Sequence, residues 1–158
     1  MRLYYPIALK LKGKDVLVVG GGQVAERKAK TLLSFGAQVK VVSPILTSKL
    51  KKLYLQRKIR WIKRKVESCD FKGISLVIAA TNDEFVNRTV SKWAKKQNIL
   101  VNVVDNAGLS DFISPAIFGK GGTVIAVSTN GKDPVLSRDL KNFLKEKWDD
   151  FLSYRDRL

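Results

Sequence analysis

Short apolar segments alternate with longer amphipathic segments along residues 15–104 of the chain. In the longer segments, residues 25–35, 46–56 and 84–96, apolar residues recur at the spacing typical of helices. Strands that alternate with helices over short connections predict an α/β fold, a Rossmann-type doubly wound parallel sheet. Five segments have the composition of strands, and the first is a continuous apolar run, as expected for a parallel strand buried on both faces: residues 16–19, 38–42, 59–62, 76–80 and 100–104.

The pattern changes after Asp105. Residues 106–115 have the composition of a loop, and residues 112–118 are placed to pair with residues 123–127 as a hairpin. Residues 134–152 have the spacing of one long helix. A hairpin leaves sheet edges and an apolar face that one helix covers only in part, so we expect a second protein surface to cover the remainder.

Length and composition fit one domain with a small appendage. The chain has 158 residues, of which 45% are apolar, enough for a hydrophobic core. We predict a Rossmann domain over residues 1–105 and a small α+β dimerisation segment over residues 106–158, which makes the protein a homodimer. The alternative for the second part is an extension that packs on its own domain. Since there is no signal-peptide pattern and no run near ~18 apolar residues, we expect no membrane association and a cytoplasmic location.

Three glycines join the first strand to the first helix. Gly20-x-Gly22-x-x-Ala25 matches the G-x-G-x-x-G/A fingerprint of dinucleotide-binding folds. Gly20 permits a tight turn, Gly22 lets the backbone approach a pyrophosphate, and the helix N-terminus then directs free N–H groups at the phosphates. The alternative is a purely structural turn. The residues expected to contact this cofactor are Gly20, Gly21, Gly22, Gln23, Val24, Ser43, Pro44, Ile45, Thr81 and Asn82.

The end of the second strand bears on the choice of cofactor. The acidic residue expected ~20 residues after the glycines, which holds a ribose 2′-OH, is missing. Ser43 stands there and is able to bond the ribose, while the Pro44–Ile45 backbone is placed to line the adenine. Because no arginine is presented at this turn for a 2′-phosphate, we expect NAD rather than NADP. Thr81 and Asn82 are expected near the ribose or nicotinamide, with N-capping of the next helix as their alternative role.

The charge of the chain is strongly positive, at +16. Residues 49–65 contain nine lysines and arginines and no acidic residue, so this segment attracts polyanions. Three interpretations stay open: a solvated face, a nucleic-acid surface and an attraction for a polycarboxylate substrate. No nucleic-acid-binding motif accompanies the charge, and nucleic acid is therefore not an expected partner.

The absence of histidine limits the chemistry of the chain. With no His and a single cysteine, Cys69, we predict no metal site built from thiolate and imidazole ligands. Proton transfer falls to a carboxylate, Lys, Tyr, Cys or water. Asp105 follows the fifth strand at the expected crevice, where a catalytic role and a turn-capping role are equally open from spacing alone.

Six motifs, taken together, resemble those of the precorrin-2 dehydrogenases, a family that includes the amino-terminal module of sirohaem synthase. The resemblance runs from about Tyr5 to about Trp148. The motifs are Val-Val-Gly20-Gly-Gly-Gln-Val-Ala-Glu-Arg-Lys28, Ala79-Ala-Thr-Asn-Asp83, Val86-Asn87, Asn102-Val-Val-Asp105, Asp111-Phe-Ile-x-Pro115 and Ala126-Val-Ser-Thr-x-Gly131-x-x-Pro134-Val-Leu.

The resemblance implies NAD-dependent oxidation of precorrin-2 to sirohydrochlorin, on the route to sirohaem. It assigns Asp105 to catalysis and Ser128 and Thr129 to substrate binding. Some members of the family also insert Fe²⁺, and for this chain we expect dehydrogenation with at most weak ferrochelatase activity. Because many members continue beyond the position of Leu158 into a further helical segment, an NAD-sensing regulatory or interaction module without catalysis is the alternative function.

Overall fold

The computed structural model describes residues 4–104 and 106–155. The chain divides into two compact units, Pro6–Phe112 and Ile113–Leu158 together with Met1–Tyr5. Short 3₁₀ turns at Ser68–Phe71 and Ala107–Leu109 complete the regular structure. The strands and α-helices of the described residues are β1 (Asp15–Val19), α1 (Gln23–Ser34), β2 (Gln38–Val42), α2 (Ser48–Leu55), β3 (Ile59–Ile62), β4 (Leu76–Ala79), α3 (Glu84–Lys96), β5 (Leu100–Val103), β6 (Ala116–Lys120), β7 (Thr123–Val127), α4 (Pro134–Glu146) and α5 (Trp148–Arg155).

The first unit is built on a five-stranded sheet in the order β3-β2-β1-β4-β5. All four strand pairings are parallel. The order reverses between β1 and β4, and in open α/β sheets ligands bind at such a switch point, beyond the carboxyl ends of the strands. The predicted α/β fold, a Rossmann-type doubly wound sheet followed by a small α+β segment, is confirmed.

The central strands β4 and, after Asp15, β1 are apolar because the sheet is covered on both faces there. Val16 and Val18 of β1 belong to one buried cluster, with Ala25 and Ala29 of α1. Leu17 and Val19 alternate with them and belong to the opposite cluster, which α3 covers. At about 25 cal/mol per Å² of apolar surface, burial on both faces makes these strands the main source of stability in the unit.

The segment after β5 covers the free edge of that strand. The backbone N–H of Val101 donates to Asp111 Oδ2 at 3.1 Å, and the Asp111 N–H returns a bond to the Val101 carbonyl at 2.8 Å. Further along, the N–H of Val103 donates to Ser110 Oγ at 2.8 Å. These side chains satisfy backbone groups that an edge strand otherwise leaves open.

The second unit consists of a hairpin and two helices. Strands β6 and β7 pair antiparallel around Gly121 and Gly122, whose positive φ values of 58° and 80° suit a two-residue hairpin turn. The pairing begins at Ala116, so only the second half of the predicted strand 112–118 takes part.

The single helix predicted over residues 134–152 is wrong, because the chain breaks at Lys147 between α4 and α5. Trp148 is buried, and its ring packs edge-to-face against Phe118 of β6 at a centroid distance of 5.7 Å. In the sequence, the helical periodicity of apolar residues continues past Lys147, so the pattern does not reveal that the helix ends there. In the described ranges, no helix combines the length and the apolar character that a membrane crossing requires.

The bond from Val101 N–H to Asp111 predicts a difference between two substitutions. Asp111→Ala removes the acceptor and is expected to lower the free energy of unfolding by about 1–3 kcal/mol. Asp111→Asn keeps an oxygen that accepts the bond and loses only the partly exposed pair with Lys95, 3.7 Å away, so we expect a loss below about 1 kcal/mol. Urea unfolding of the two variants measures both values. Equal losses would show that charge, not the hydrogen bond, holds this edge.

Candidate functional site

A cavity of about 650 Å³ lies at the carboxyl edge of the sheet in the first unit. Eight of the ten predicted cofactor residues line it, and Gln23 and Val24 stand beside it in the first turn of α1. The cavity extends onto α3 through Phe85 and Trp93, which the sequence analysis did not include. The eight predicted residues are Gly20, Gly21, Gly22, Ser43, Pro44, Ile45, Thr81 and Asn82.

Two of the three glycines are required by close backbone contacts. Gly20 has φ +116°, and a Cβ atom there would lie 2.3 Å from the carbonyl oxygen of Ala80, just after β4. A Cβ atom on Gly21 would lie 1.9 Å from the carbonyl oxygen of Ile45. Side chains at these two positions would therefore push apart the loops that form the cavity wall.

Gly22 differs from its neighbours because a Cβ atom there meets nothing within 4 Å. This glycine lines the cavity and is the N-cap of α1, and no side chain caps the helix. The first N–H groups of a helix lack partners within the helix and carry partial positive charge. An open, uncapped helix N-terminus at the wall of a cavity fits the pyrophosphate of a dinucleotide.

The loop after β2 is fixed by bonds to the loop's own backbone and to β3. Ser43 is buried, and its hydroxyl donates to the Ile45 carbonyl at 2.8 Å. Its carbonyl accepts from the indole of Trp61 at 2.8 Å, and its N–H donates to the Ile62 carbonyl at 3.2 Å. The hydroxyl expected to bond the ribose thus holds the loop in shape, and only its lone pairs are available to a ligand.

Thr47 connects the glycine turn with the helices around it. Its N–H donates to the Gly21 carbonyl at 2.9 Å, and its hydroxyl donates to Glu26 Oε2 at 2.8 Å. Bonds to Glu26, from Lys30 first and then from Thr47, lower the pKa of this carboxyl below its ordinary value. Glu26 is therefore ionised near neutral pH and held by Lys30 and Thr47.

The end of β4 is organised by Asn87. This buried amide accepts from the Thr81 hydroxyl at 2.8 Å and donates to the Thr81 carbonyl at 2.9 Å. The N-cap of α3 is Asp83, whose carboxylate accepts from the N–H of Val86 at 3.1 Å. Capping therefore falls to Asp83, and Thr81 is held at the cavity wall beside Asn82.

Arg64 and Lys65 also line the cavity, and the sequence analysis did not place them there. Arg64 forms a two-pronged pair with Asp70, with N···O distances of 2.8 and 2.9 Å. Burial has the largest influence on the pKa of Asp70 and raises it, but the bonds from Arg64 and the Glu67 N–H outweigh burial and lower the pKa overall. The sequence did contain a sign that Arg64 and Lys65 belong to this site. Both follow shortly after β3, whose carboxyl end lies at the same sheet edge as the glycines.

Asp105, the predicted catalytic residue, lies outside the described residues. Its neighbours in sequence are fixed: the N–H of Val104 donates to the Ala79 carbonyl at 2.9 Å, and the N–H of Asn106 donates to the Val103 carbonyl at 3.2 Å. These bonds hold Val104 beside the end of β4, at the carboxyl edge of the sheet.

Ser128 and Thr129, the predicted substrate residues, belong to the second unit. The Thr129 hydroxyl accepts from the N–H of Asp133 at 2.9 Å and lies 3.1 Å from Ser137 Oγ. The Ser128 hydroxyl accepts from the N–H of Asn130 at 3.2 Å. Both hydroxyls shape the loop before α4. Within the described ranges, no three His, Cys, Asp or Glu side chains are grouped as metal ligands.

The glycine turn predicts opposite outcomes for two neighbouring substitutions. Gly21→Ala is expected to cost about 1–3 kcal/mol of unfolding free energy, because the new methyl group overlaps the Ile45 carbonyl. Gly22→Ala is expected to change stability by less than about 1 kcal/mol, yet to weaken NAD⁺ binding by at least about tenfold, because its methyl group enters the phosphate position. Urea unfolding and calorimetric titration measure the two effects. Unchanged NAD⁺ affinity in Gly22→Ala would contradict this placement of the cofactor.

Comparisons with known proteins agree with the geometry. A family model described as putative NAD(P)-binding matches residues 7–116. The sirohaem synthase of Photorhabdus laumondii is 44% identical over 142 residues, and that of Methylobacillus flagellatus is 46% identical over 136 residues. These matches cover 90% and 86% of this chain but only 30% and 29% of the relatives, so the chain spans less than a third of their length.

A solved structure described as SirC, precorrin-2 dehydrogenase, matches with a TM-score of 0.78 and 34% sequence identity. The match covers 91% of this chain and 71% of that chain. Together with the family model, it confirms the predicted resemblance and the predicted nicotinamide-dinucleotide cofactor. The chain belongs to the precorrin-2 dehydrogenase family of NAD(P)-binding proteins.

Proposed function

We propose that this chain catalyses the NAD-dependent dehydrogenation of precorrin-2 to sirohydrochlorin. The observation that carries the proposal is the uncapped N-terminus of α1 at the cavity wall, in a chain that matches a precorrin-2 dehydrogenase over 91% of its length. The cavity at the carboxyl edge of the sheet is suited to hold a dinucleotide that accepts a hydride. Sirohaem synthesis is the process to which the relatives' names point.

The residues of the chain divide the work of the reaction. NAD⁺, when bound, supplies the acceptor for the hydride that leaves the macrocycle. The backbone N–H groups of residues 21–24 bind the pyrophosphate, since the Gly20 N–H already donates to the Val42 carbonyl. Thr81 and Asn82 hold the nicotinamide half at the end of β4. Asp105 accepts the proton that leaves with the hydride. Ser128 and Thr129 are proposed to contact the substrate.

Three further features are part of the proposal. NAD is the expected cofactor because the turn after β2 presents no arginine for a 2′-phosphate. Fe²⁺ insertion is expected to be weak at most, since Asp105 is the one group the family pattern offers toward the metal. The cytoplasmic location and the absence of a nucleic-acid partner stay predictions.

A regulatory module that binds NAD without chemistry is the second candidate. It shares the glycine turn and the cavity with the enzyme, so cofactor binding alone does not distinguish the two. The role of Asp105 does, because a sensor has no use for a proton acceptor. The Asn102-Val-Val-Asp105 and Asp111-Phe-Ile motifs favour the enzyme only in part, because some of their residues have a structural role. The Asn102 amide donates to the Phe112 carbonyl at 2.9 Å, and both functions require this bond.

The Asp105 variants test the enzyme directly. Under anaerobic conditions with precorrin-2 and NAD⁺, we expect NADH formation with the wild type and a loss of at least about 100-fold in Asp105→Asn, the usual scale for a missing general base. Asp15→Asn is the matched control, because Asp15 is paired with Arg60 at the amino end of β1, away from the cavity. Turnover at the wild-type rate in Asp105→Asn would remove the residue from the mechanism. No turnover by the wild type, with NAD⁺ bound, would favour the sensor.

We propose that the segment of residues 106–158 forms a homodimer. Helix α4 packs on the hairpin, yet four of its large apolar side chains are exposed, Val135 and three that follow it along the helix. These three are Leu136, Leu140 and Phe143, at positions i, i+4 and i+7, and so share one face of the helix. An apolar stripe of this kind, next to a two-stranded sheet with open edges, is the surface that a second copy would cover.

One substitution on this stripe tests the dimer. Leu140→Glu is expected to raise the dimer dissociation constant by at least about 100-fold, because a two-fold interface contains the buried charge twice. Asn142→Glu introduces the same charge two positions along, on another side of α4, and is expected to leave the dimer intact. Sedimentation equilibrium at micromolar concentration measures both. A wild-type protein that is monomeric under these conditions would contradict the proposal.

A further inference from the structure

The side of the cavity next to β3 carries positive charge that the proposed function does not use. Arg64 and Lys65 both line the cavity, directly after β3. The Ile62 carbonyl accepts from the N–H of Ser43 at 3.2 Å and from the N–H of Arg64 at 3.0 Å. One carbonyl therefore ties the end of β2 to the start of this basic pair.

Ser43 occupies the position that selects between dinucleotides in this fold. In NAD-selective sites an acidic residue at this position binds the ribose 2′-OH and repels a 2′-phosphate. Here the side chain is a buried serine whose hydroxyl donates to Ile45. No carboxylate therefore opposes a phosphate at this point of the cavity.

Arg64 is held rigidly in place. Its guanidinium donates to both carboxylate oxygens of Asp70, which is only 3% exposed, and to the Lys65 carbonyl at 2.9 Å. The Lys40 ammonium in turn donates to the Asp70 carbonyl at 2.6 Å. This arrangement fixes the backbone that carries Lys65, while Asp70 and Glu67, whose Oε1 lies 3.7 Å from the Arg64 Nε, balance the charge of Arg64.

The Lys65 ammonium is the charge that this arrangement leaves unbalanced. Among the residues that the structure describes, no carboxylate lies within ion-pair distance of it. Asp83, the acidic residue among those lining the cavity, follows β4, which β1 separates from β2, and it is occupied as the N-cap of α3. A dianionic phosphate near Ser43 would therefore meet an unpaired cation, and the carboxylates beside it, Glu67 and Asp70, are paired with Arg64.

We propose that Lys65, beside the fixed guanidinium of Arg64, forms a subsite for the 2′-phosphate of NADP, so that this chain binds NADP as well as NAD. The proposal rests on the proposed function, because it concerns the adenosine end of the same cofactor site. It departs from the expectation of NAD alone that the β2 turn gave, because the basic residues lie outside that turn, in the segment after β3.

Calorimetric titration of the full chain with NAD⁺ and with NADP⁺ tests the subsite. At physiological ionic strength, we expect the wild type to bind the two within about tenfold of each other. Lys65→Glu is expected to raise the ratio of the NADP⁺ to the NAD⁺ dissociation constant by at least about tenfold, as for the loss of a charge-assisted bond, and Lys65→Met by less. NAD⁺ affinity itself should change by less than about threefold, because the diphosphate binds at α1.

Lys63→Glu is the matched control. It makes the same charge change two residues earlier, where the Lys63 ammonium lies over the Trp61 ring at 5.9 Å and does not line the cavity. We expect this variant to leave the ratio unchanged. An equal change in Lys63→Glu and Lys65→Glu, or a wild type that binds NAD⁺ more than about 100-fold tighter than NADP⁺, would overturn the subsite alone. A wild type that binds neither dinucleotide would overturn the proposed function with it.

Discussion

The close approach of the glycine backbone to its neighbours is the constraint on which the site depends. Gly20 contacts the chain after β4, and Gly21 contacts the Ile45 carbonyl so closely that neither position has room for a side chain. These two contacts bring the ends of β1, β2 and β4 together and direct the N-terminus of α1 into the cavity between them. Thr47 and Ser43 then stabilise the same arrangement from the β2 side. The cavity is thus the consequence of a backbone contact, and the polar side chains around it serve mainly to hold that contact.

The carboxylates around the cavity are occupied by other groups of the protein, and this determines its electrostatics. Glu26 is bonded to Lys30 and Thr47, Asp70 to Arg64, and Asp83 to the first turn of α3. The helix N-terminus and the Lys65 ammonium remain to act on a ligand, so the site favours anions along its length. The large positive charge of the chain strengthens this preference at a distance, subject to screening by salt.

The sheet could be predicted because strands buried on both faces leave a strong apolar signal, and the bounds of β2 and β3 agree with the structure residue for residue. The glycine turn could be predicted because local backbone geometry requires Gly20 and Gly21, while its role in binding the cofactor stays a proposal. The role of Arg64 could not, since its contact with Asp70 gives no periodic pattern and the residue stands within a run of charges that resembles a solvated face. The break at Lys147 was missed for a related reason: Trp148 packs on Phe118, thirty positions earlier, and helical spacing continues through the break.

The most direct test of the account is the response of individual backbone amides to NAD⁺, measured by ¹⁵N–¹H correlation spectra of the labelled protein. The account predicts that the largest shifts occur in residues 21–24, at the turn and the first turn of α1, with a second group in residues 43–45. Saturable shifts confined to these two groups would establish the helix N-terminus as the phosphate site. Shifts that leave residues 21–24 unchanged and cluster on the basic helix α2 would contradict it.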